Sequence, residues 1–408
     1  MRLPNMGRSR AVVAIAATGA IAATVGVTVA LARGDDPAAS AGTTPVLTKA
    51  DGPEGSIPTS TEASTKPPVS TPSAPAVRKP TSRSTAKASV KPTTKPTRKP
   101  TAKPTTKPST TPTSAPVPQQ GNPLSQTNGL YVDPQSEPVY WVGEHAGDSR
   151  RAIIKAGIAD RPIARWFNGD GADASDARTY VSAASKAGKL PVLVFYNHPA
   201  RDCGESGGAA SPAAYRAWIN SLAASIGKHP AIVVLEPDAL PGLDCLSSSA
   251  QTSRLSLLSY AVDHLRSAAP NTWTYLDAGH DDWNPAATTA KWLKSAGVAR
   301  ARGFSLNVSN YQSTARNVTY AQAVNAALGS AKRFVIDTSR NGNPLNGDDW
   351  CNPAGQRVGA PPRAGGATGL DLQLWVKPPG ESDGDCGIDS GSEAGDFSPV
   401  IAMKLLGH

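Results

Sequence analysis

Seven apolar runs of strand length alternate with helix-like stretches through the later part of this chain, between residues 123 and 408. Alternation of this kind indicates parallel strands that are joined by crossover helices. The predicted strands are 163–167, 190–196, 231–235, 273–277, 303–307, 333–337 and 372–376. The predicted helices are 174–187, 211–227, 250–268, 285–296 and 317–329. We therefore predict one α/β domain, an incomplete parallel β/α barrel of the TIM-like kind with seven strands.

Local signals refine the helix starts and the last crossover. Ser211-Pro212 and Asn284-Pro285 each place a capping side chain before a proline, which suits the first position of a helix. The last crossover, 338–371, is rich in glycine and proline, so we predict a long loop there.

The first 33 residues have the pattern of an export segment. Arg2, Arg8 and Arg10 precede an uncharged apolar stretch, 11–32, which ends in a small-residue site. This stretch of 22 residues is also long enough to cross a bilayer, which takes about 20. A cleaved signal peptide and an N-terminal membrane anchor both fit residues 1–33. Either one predicts a secreted protein or a protein on the extracellular face of the membrane.

Residues 34–122 have the composition of a disordered basic linker. Threonine, proline, serine and lysine dominate, and there is no hydrophobic periodicity with which to build a core. Residues 1–120 hold 16 basic against 5 acidic side chains, whereas residues 121–408 hold 25 against 27. The high pI therefore belongs to the leader and linker and does not indicate nucleic-acid binding. A basic linker can contact an anionic cell envelope, or its charge can simply keep it solvated.

All four cysteines lie in the predicted domain, which fits an oxidising compartment. Four cysteines allow three pairings, and their order favours Cys203 with Cys245 and Cys351 with Cys386. There is no Cys-x-x-Cys motif and no matching histidine pair, so we predict no metal site and no cofactor.

The third predicted strand ends abruptly in two acidic residues. The apolar run 231–235 is followed by Glu236-Pro237-Asp238, and proline cannot donate a hydrogen bond to a sheet. Both carboxylates therefore lie at the C-terminal end of a buried strand, where catalytic groups are found in parallel α/β folds.

Most of the other predicted strands also end in acids, amides or aromatic residues. These groups include Tyr196, Asp202, Asp277, His280, Trp283, Asn307, Asn310, Asp337, Trp375 and Asp383. Carboxylates on one edge repel one another, which raises at least one pKa and keeps an acid protonated near neutral pH. Tryptophan faces suit sugar rings, so acids together with tryptophans point to glycoside hydrolysis.

Two motifs resemble the signatures of glycoside hydrolase family 6. They are Tyr196-x-x-x-x-Arg-Asp-Cys-Gly204 and Val233-Val-Leu-Glu-Pro-Asp-Ala-Leu-Pro241. Supporting stretches are Asp277-Ala-Gly-His280, Asp337-Thr-Ser-Arg-Asn-Gly342 and Leu374-Trp-Val-Lys-Pro-Pro-Gly-Glu-Ser-Asp383. The likeness covers residues 125–408 and is to the endoglucanase-like, actinobacterial type. It implies a distorted seven-stranded α/β barrel that inverts the anomeric configuration.

The resemblance also implies roles for single residues. Asp238 matches the general acid, Asp202 a neighbour that keeps its pKa high, and Asp383 the residue proposed as base. Tyr196 matches a residue that crowds the sugar, and Ser206 one that positions the water. Stacking positions are matched by Trp166, Trp283, Trp350 and Trp375. Positions that bind sugar hydroxyls are matched by Asp277, His280, Asn310, Lys377 and Glu381. The two favoured cysteine pairs are also the disulfides of the family.

Other residues of the same types are interpreted as structural. We predict that Glu236 is a buried hydrogen-bonding residue and that Asp281 and Asp282 are solvated. Trp141 and Trp292 match no motif and are predicted to pack, and Trp218 is predicted to lie in the core.

The mode of cleavage follows from two loops. Cellobiohydrolases of this family cover the cleft with long loops, whereas here the segments 239–250 and 352–371 are short. We therefore predict an open cleft and a monomeric endo-β-1,4-glucanase that acts on cellulose or a related β-glucan. The alternatives are a cellobiohydrolase, a surface-held enzyme that trims the β-glucan of its own cell, and a binding protein on an inactive hydrolase fold.

Overall fold

The computed structural model describes residues 121–408 except 205, 206, 344 and 346–348. The predicted export segment and nearly all of the predicted linker lie outside the described residues. Within the described part, no helix combines the length and the hydrophobicity that a membrane span requires.

Eight strands form a single sheet within the described residues. They are β1 (Arg165–Phe167), β2 (Val192–Phe195), β3 (Ala231–Leu235), β4 (Thr272–Asp277), β5 (Gly303–Leu306), β6 (Arg333–Asp337), β7 (Arg363–Ala364) and β8 (Leu370–Leu374). Their order in the sheet is β1-β2-β3-β4-β5-β6-β8-β7. All neighbours pair in parallel except β7, which pairs antiparallel with β8. The seven predicted strands are confirmed. β7 was not predicted, because two residues carry no periodicity.

Eight α-helices accompany the sheet in the described part. They are α1 (Glu137–Glu144), α2 (Arg151–Ile154), α3 (Asp173–Lys186), α4 (Pro212–Ile226), α5 (Ser248–Ala268), α6 (Ala286–Ser295), α7 (Thr314–Leu328) and α8 (Pro399–Leu406). The five predicted helices correspond to α3 to α7, whereas α1, α2 and α8 were not predicted. Residues 155–159 continue α2 as one π-helical turn.

The two predicted helix caps have different outcomes. The Ser211 hydroxyl accepts a hydrogen bond of 3.1 Å from the Ala214 amide, as predicted. The prediction for Asn284 is wrong, because α6 begins one residue later, after Pro285. The side-chain amide of Asn284 instead donates to the Pro241 carbonyl over 2.9 Å.

The sheet curls so that its first strand meets the chain that follows β8. The Ala164 amide donates to the Trp375 carbonyl over 2.9 Å, and the Trp166 indole donates to the Val376 carbonyl over 2.8 Å. These contacts bring the two sides of the sheet towards each other, while β1 and β7 remain the ends of the strand order, so the sheet forms a curled, open half-barrel. The predicted α/β barrel is confirmed.

Both faces of the central strands are buried, which is why they read as continuous apolar runs. On β3, Val233 and Leu235 pack in the cluster beneath the helices, whereas Ile232 and Val234 pack in the barrel interior. Parallel sheets covered on both faces have this pattern. The tryptophans predicted to pack do so: Trp218 and Trp292 pack against the helix-side cluster, and Trp141 is 9% exposed in a third cluster.

A buried ion-pair cluster lies at the starts of the strands. Asp371 is fully buried and accepts hydrogen bonds from Arg302, Arg333 and the Tyr275 hydroxyl. Arg302 also donates to the carbonyl of Gly121 over 2.7 Å. The first described residues are therefore held at the end of the barrel where the strands begin.

Candidate active site

The end of β3 separates its two carboxylates. Glu236 and Asp238 have φ angles of 52° and 66°, in the left-handed region that residues other than glycine rarely adopt. Glu236 is 1% exposed, whereas Asp238 is only partly buried. Strained backbone of this kind is concentrated at functional sites. Asp238 is thus the acidic group that this strand end presents to solvent.

Asp238 has a strongly perturbed pKa. Burial raises it first and the charge of Asp202 second, while Lys377 opposes them, and the result is a pKa of about 7. The Asp238 amide donates to the Asp277 carboxylate over 3.0 Å. A carboxyl group with a pKa of about 7 keeps its proton in about half of the molecules at pH 7 and in most of them at lower pH, as a general acid requires.

Asp202 lies on the loop after β2 and is exposed. The Tyr196 hydroxyl donates to its Oδ1, and the Arg201 Nε lies 3.6 Å from its Oδ2. Burial and the charge of Asp238 raise the pKa of Tyr196, so its hydroxyl keeps the proton that it donates. These contacts bring Tyr196, Asp202 and Asp238 together, as the sequence predicted.

Asp383 has the opposite environment. Its Oδ2 accepts hydrogen bonds from Arg340 (2.7 Å), the Tyr311 hydroxyl (3.2 Å) and the Asn352 amide (3.1 Å). The Lys377 amine lies 3.4 Å from its Oδ1. Burial alone would raise the pKa of Asp383, but the charges of Arg340 and Lys377 and these hydrogen bonds hold it below its ordinary value.

Three of the four predicted stacking tryptophans have exposed surface. Trp350 is 64% exposed and Trp283 is 38% exposed, while Trp166 is partly buried with its ring edge-on to Tyr196. The prediction for Trp375 is wrong. Its side chain is 3% exposed in the core cluster with Ala402, and its indole donates to the Ala360 carbonyl, so no sugar ring can stack on it.

The residues predicted to bind sugar hydroxyls lie on the same rim. His280 is partly buried, and its ring centroid lies 5.4 Å from that of Trp283. The side-chain amide of Asn310 donates to the Val308 carbonyl. The Lys377 amine is 2.7 Å from the Glu381 carboxylate. Asp277 is 1% exposed. Ser206 lies outside the described residues.

Three buried carboxylates bind the backbone of neighbouring strand ends. Glu236 accepts from the amides of Asn197 and His198, both over 2.9 Å. Asp277 accepts from Asp238 and Gly279 and from the Ser305 hydroxyl. Asp337 accepts from the amides of Ser309, Ser339, Val376 and Lys377. The prediction that Glu236 is a buried hydrogen-bonding residue is confirmed, and the rim is held together by its own acids.

Both predicted disulfides are present. Cys203 is bonded to Cys245, which joins the loops after β2 and β3, and Cys351 is bonded to Cys386 beside Asp383. Each bridge therefore fixes a loop that carries a candidate catalytic carboxylate.

Sequence reasoning missed several polar residues of the site. Arg340, 1% exposed, was quoted in a motif but was given no role, although an arginine directly after a buried strand was a usable signal. Tyr311 and Asn352 carried no such signal. Asp281 was predicted to be solvated, but only 13% of its side chain is exposed and it pairs with Arg316.

The rim carries one carboxyl group with a raised pKa, a second whose pKa is held down by cations, and exposed tryptophans. On a curled parallel sheet, this combination is typical of glycoside hydrolases. The comparisons specify the family, because residues 126–407 match the family described as Glycosyl hydrolases family 6. The chain belongs to glycoside hydrolase family 6.

Known relatives include enzymes with both cleavage modes. Endoglucanase 1 of Streptomyces halstedii is 49% identical over 293 residues, which are 70% of this chain and 90% of the relative. A probable 1,4-β-D-glucan cellobiohydrolase C of Aspergillus clavatus is 32% identical, over 65% of this chain and 68% of the relative. The solved structure of the endoglucanase Cel6 from Mycobacterium tuberculosis is similar with a TM-score of 0.64 and 39% identity, over 70% of this chain and 98% of that chain.

Proposed function

We propose that this protein is an inverting endo-β-1,4-glucanase that hydrolyses internal bonds of cellulose or a related β-glucan. The observation that carries the proposal is the opposite perturbation of two carboxyl groups on one rim. The pKa of Asp238 is raised to about 7, whereas the pKa of Asp383 is lowered. Titratable groups whose pKa values are driven apart are the usual acid and base of an enzyme.

In the proposed reaction, Asp238 donates its proton to the glycosidic oxygen as the bond to the anomeric carbon breaks. A water molecule attacks that carbon from the opposite face and passes a proton to Asp383. Inverting enzymes keep acid and base about 6.5–9.5 Å apart so that this water fits between them. Asp202 contributes the charge that helps to hold Asp238 protonated, and Tyr196 holds Asp202 in place.

Exposed tryptophans and short loops support binding of the enzyme along a glucan rather than at the end of the glucan. Trp283 and Trp350 offer flat apolar surface, and His280, Asn310, Lys377 and Glu381 offer polar groups for sugar hydroxyls. Residues 239–247 alone separate Asp238 from α5, which leaves little chain to cover the cleft. We assign Asp277 a supporting role through the Asp238 backbone, because its carboxylate is buried and already accepts three hydrogen bonds.

The endo mode is tested by following the viscosity and the reducing ends of soluble carboxymethyl-cellulose together. An endoglucanase lowers viscosity steeply for few new reducing ends. Slow thinning with steady release of cellobiose would instead establish the cellobiohydrolase alternative, and NMR of the first product anomer tests inversion.

The role of Asp238 is tested by Asp238→Asn, which cannot donate the proton. We expect kcat on an unactivated glucan to fall by about 10²- to 10⁴-fold, the range for loss of a general acid. The control is Asp263→Asn, which changes an exposed carboxylate on α5 that is paired with Arg300. Full activity of Asp238→Asn would refute the assignment, and binding without hydrolysis by the wild type would favour the inactive-fold alternative.

We further propose that the protein acts outside the cytoplasm. The pattern of residues 1–33 and the two disulfides support export. Sequencing the mature N-terminus separates a cleaved signal from an anchor. Retention in the membrane fraction would favour trimming of the cell's own β-glucan, and free release would favour foraging. We propose a monomer, which sedimentation velocity tests.

A further inference from the structure

The loop after β2 carries two residues of the site in an unusual backbone conformation. Tyr196 begins this loop and Asp202 lies near its end, and Ala200, Asp202 and Cys203 have φ angles of 56°, 51° and 57°. Left-handed conformations of residues other than glycine persist only where their surroundings enforce them. The loop therefore needs specific contacts to keep Asp202 beside Asp238.

One set of contacts comes from Glu236 at the end of β3. Its Oε2 accepts from the amides of Asn197 and His198, which begin the loop. The side chain is 1% exposed and does not reach the cleft. Glu236 thus ties the start of the β2 loop to the strand that ends in Asp238.

A second set comes from Arg254 on α5, which is 2% exposed. Its Nη2 donates to the carbonyl of Ala200 in the β2 loop, and its Nη1 donates to the carbonyl of Ala239 over 3.2 Å. Ala200 lies two residues before Asp202, and Ala239 directly follows Asp238. One guanidinium therefore binds the backbone beside both carboxylates of the site.

We propose that Glu236 and Arg254 form a buried clamp that fixes the separation of Asp202 and Asp238, and so act as positioning residues for the general acid. This inference rests on the proposed role of Asp238 as the acid. The Cys203–Cys245 disulfide closes the same pair of loops farther along, so the clamp acts between the strand ends and the bridge.

The clamp has a consequence for the pH dependence of the enzyme. The groups that face Asp238 are Asp202 and Tyr196 from the β2 loop, Asp277 from β4 and Lys377 after β8. The groups that face Glu236 are His198, Arg201, Tyr215 and Arg254. Of the groups around Asp238, only the Asp202–Tyr196 pair lies on the clamped loop. Because the charge of Asp202 raises the pKa of Asp238, release of the loop lowers that pKa.

The test is the pH profile of kcat/KM for the full-length protein on a soluble β-glucan. The basic limb reports loss of the proton from the acid in the free enzyme. We expect Arg254→Met and Glu236→Ala to shift the basic limb to lower pH by about one unit. The charge of Asp202 raises the pKa of Asp238, and a released loop no longer holds that charge nearby. In Glu236→Gln the amide oxygen can still accept both backbone hydrogen bonds, so this variant should restore the limb to within a few tenths of the wild-type position.

Arg302→Met is the matched control. Like Arg254, Arg302 is a largely buried arginine, but it pairs with Asp371 at the opposite end of the strands. We expect it to lower Tm and leave the basic limb in place. If Arg254→Met does not fold, Arg254→Lys carries the test, because an amine keeps the charge but cannot span both carbonyls, and an intermediate shift is expected.

The proposal is overturned if Arg254→Met, or Arg254→Lys in its place, lowers Tm like the control and leaves the basic limb unmoved. It is equally overturned if Glu236→Gln shifts the limb as far as Glu236→Ala. Failure of the acid assignment itself gives a different result, because Asp238→Asn would then remain active.

Discussion

At the scale of single residues, the contrast between Asp238 and Asp383 arises from what surrounds each carboxylate. Asp238 has an acidic neighbour in Asp202, whereas Asp383 is held between Arg340 and Lys377. Lys377 acts on both, since its charge lowers the pKa of each acid. The same rim therefore holds one carboxyl group with a raised pKa and one with a lowered pKa.

This contrast predicts the acidic limb of the pH profile. Arg340→Met removes the closest positive charge from Asp383, so the pKa of Asp383 rises and its ionised form is reached only at higher pH. We expect the acidic limb of kcat/KM to move to higher pH, with a smaller shift in Arg340→Lys. The Arg340–Asp383 pair also stabilises the fold at pH values above the ordinary pKa of an aspartate. This stabilisation is lost as the pH falls through the lowered pKa of Asp383. An unmoved acidic limb in both variants would remove Asp383 from the role of base.

A second residue-scale prediction compares two tryptophans. Trp350→Ala changes a side chain that is 64% exposed, so we expect KM on a glucan to rise about fivefold, which corresponds to a contact worth about 1 kcal/mol. Trp375→Ala empties a site that is 3% exposed, so we expect about 3–5 kcal/mol less stability. Urea unfolding and substrate kinetics measure both. A higher KM for Trp375→Ala at unchanged stability would contradict its place in the core.

At the scale of elements, the parallel strands were predictable because burial on both faces leaves long apolar runs, as in β3. The short helices α1 and α2 lack this signal, and β7 is set by its pairing with β8 rather than by its own residues. The predicted helix cap at Asn284 was wrong because a side chain that can cap a helix can equally donate to the carbonyl of a neighbouring loop. The acids at strand ends could be found from the sequence. The burial of Trp375 could not, because it depends on packing against α8 and on the hydrogen bond to the Ala360 carbonyl.

Close approach of two strands gives an element-scale prediction. A Cβ atom at Gly303 on β5 would lie 1.6 Å from the carbonyl oxygen of Arg333 on β6. Gly303→Ala must therefore force β5 and β6 apart, and we expect a loss of at least about 3 kcal/mol in unfolding free energy. Gly143→Ala on α1 is the control, because nothing lies within 4 Å of its Cβ, and a small gain is expected. Equal stability of the two variants would contradict the described β5–β6 spacing.

At the scale of the whole molecule, the charge is divided between two parts of the chain. Residues 1–120 carry 16 basic and 5 acidic side chains, while the rest is slightly acidic. We propose that the basic part contacts an anionic envelope, and such contacts weaken as salt screens them.

This division predicts salt-sensitive binding that is separate from catalysis. Replacing the lysines and arginines of residues 66–107 by glutamine should weaken the salt-sensitive binding to vesicles that contain anionic lipid. Activity on a soluble glucan should remain within about twofold, because the site lies in the other part of the chain. Co-sedimentation at low and high salt measures the binding. Undiminished binding after the replacement would refute a role for the linker charge.

The contact between Arg302 and Gly121 fixes the first described residue away from the cleft. Gly121 is held where the strands begin, and the carboxylates lie where they end. The chain therefore enters the described part at the end of the barrel opposite the cleft. A long polymer that lies across the cleft does not meet this entry point, so it can slide in either direction.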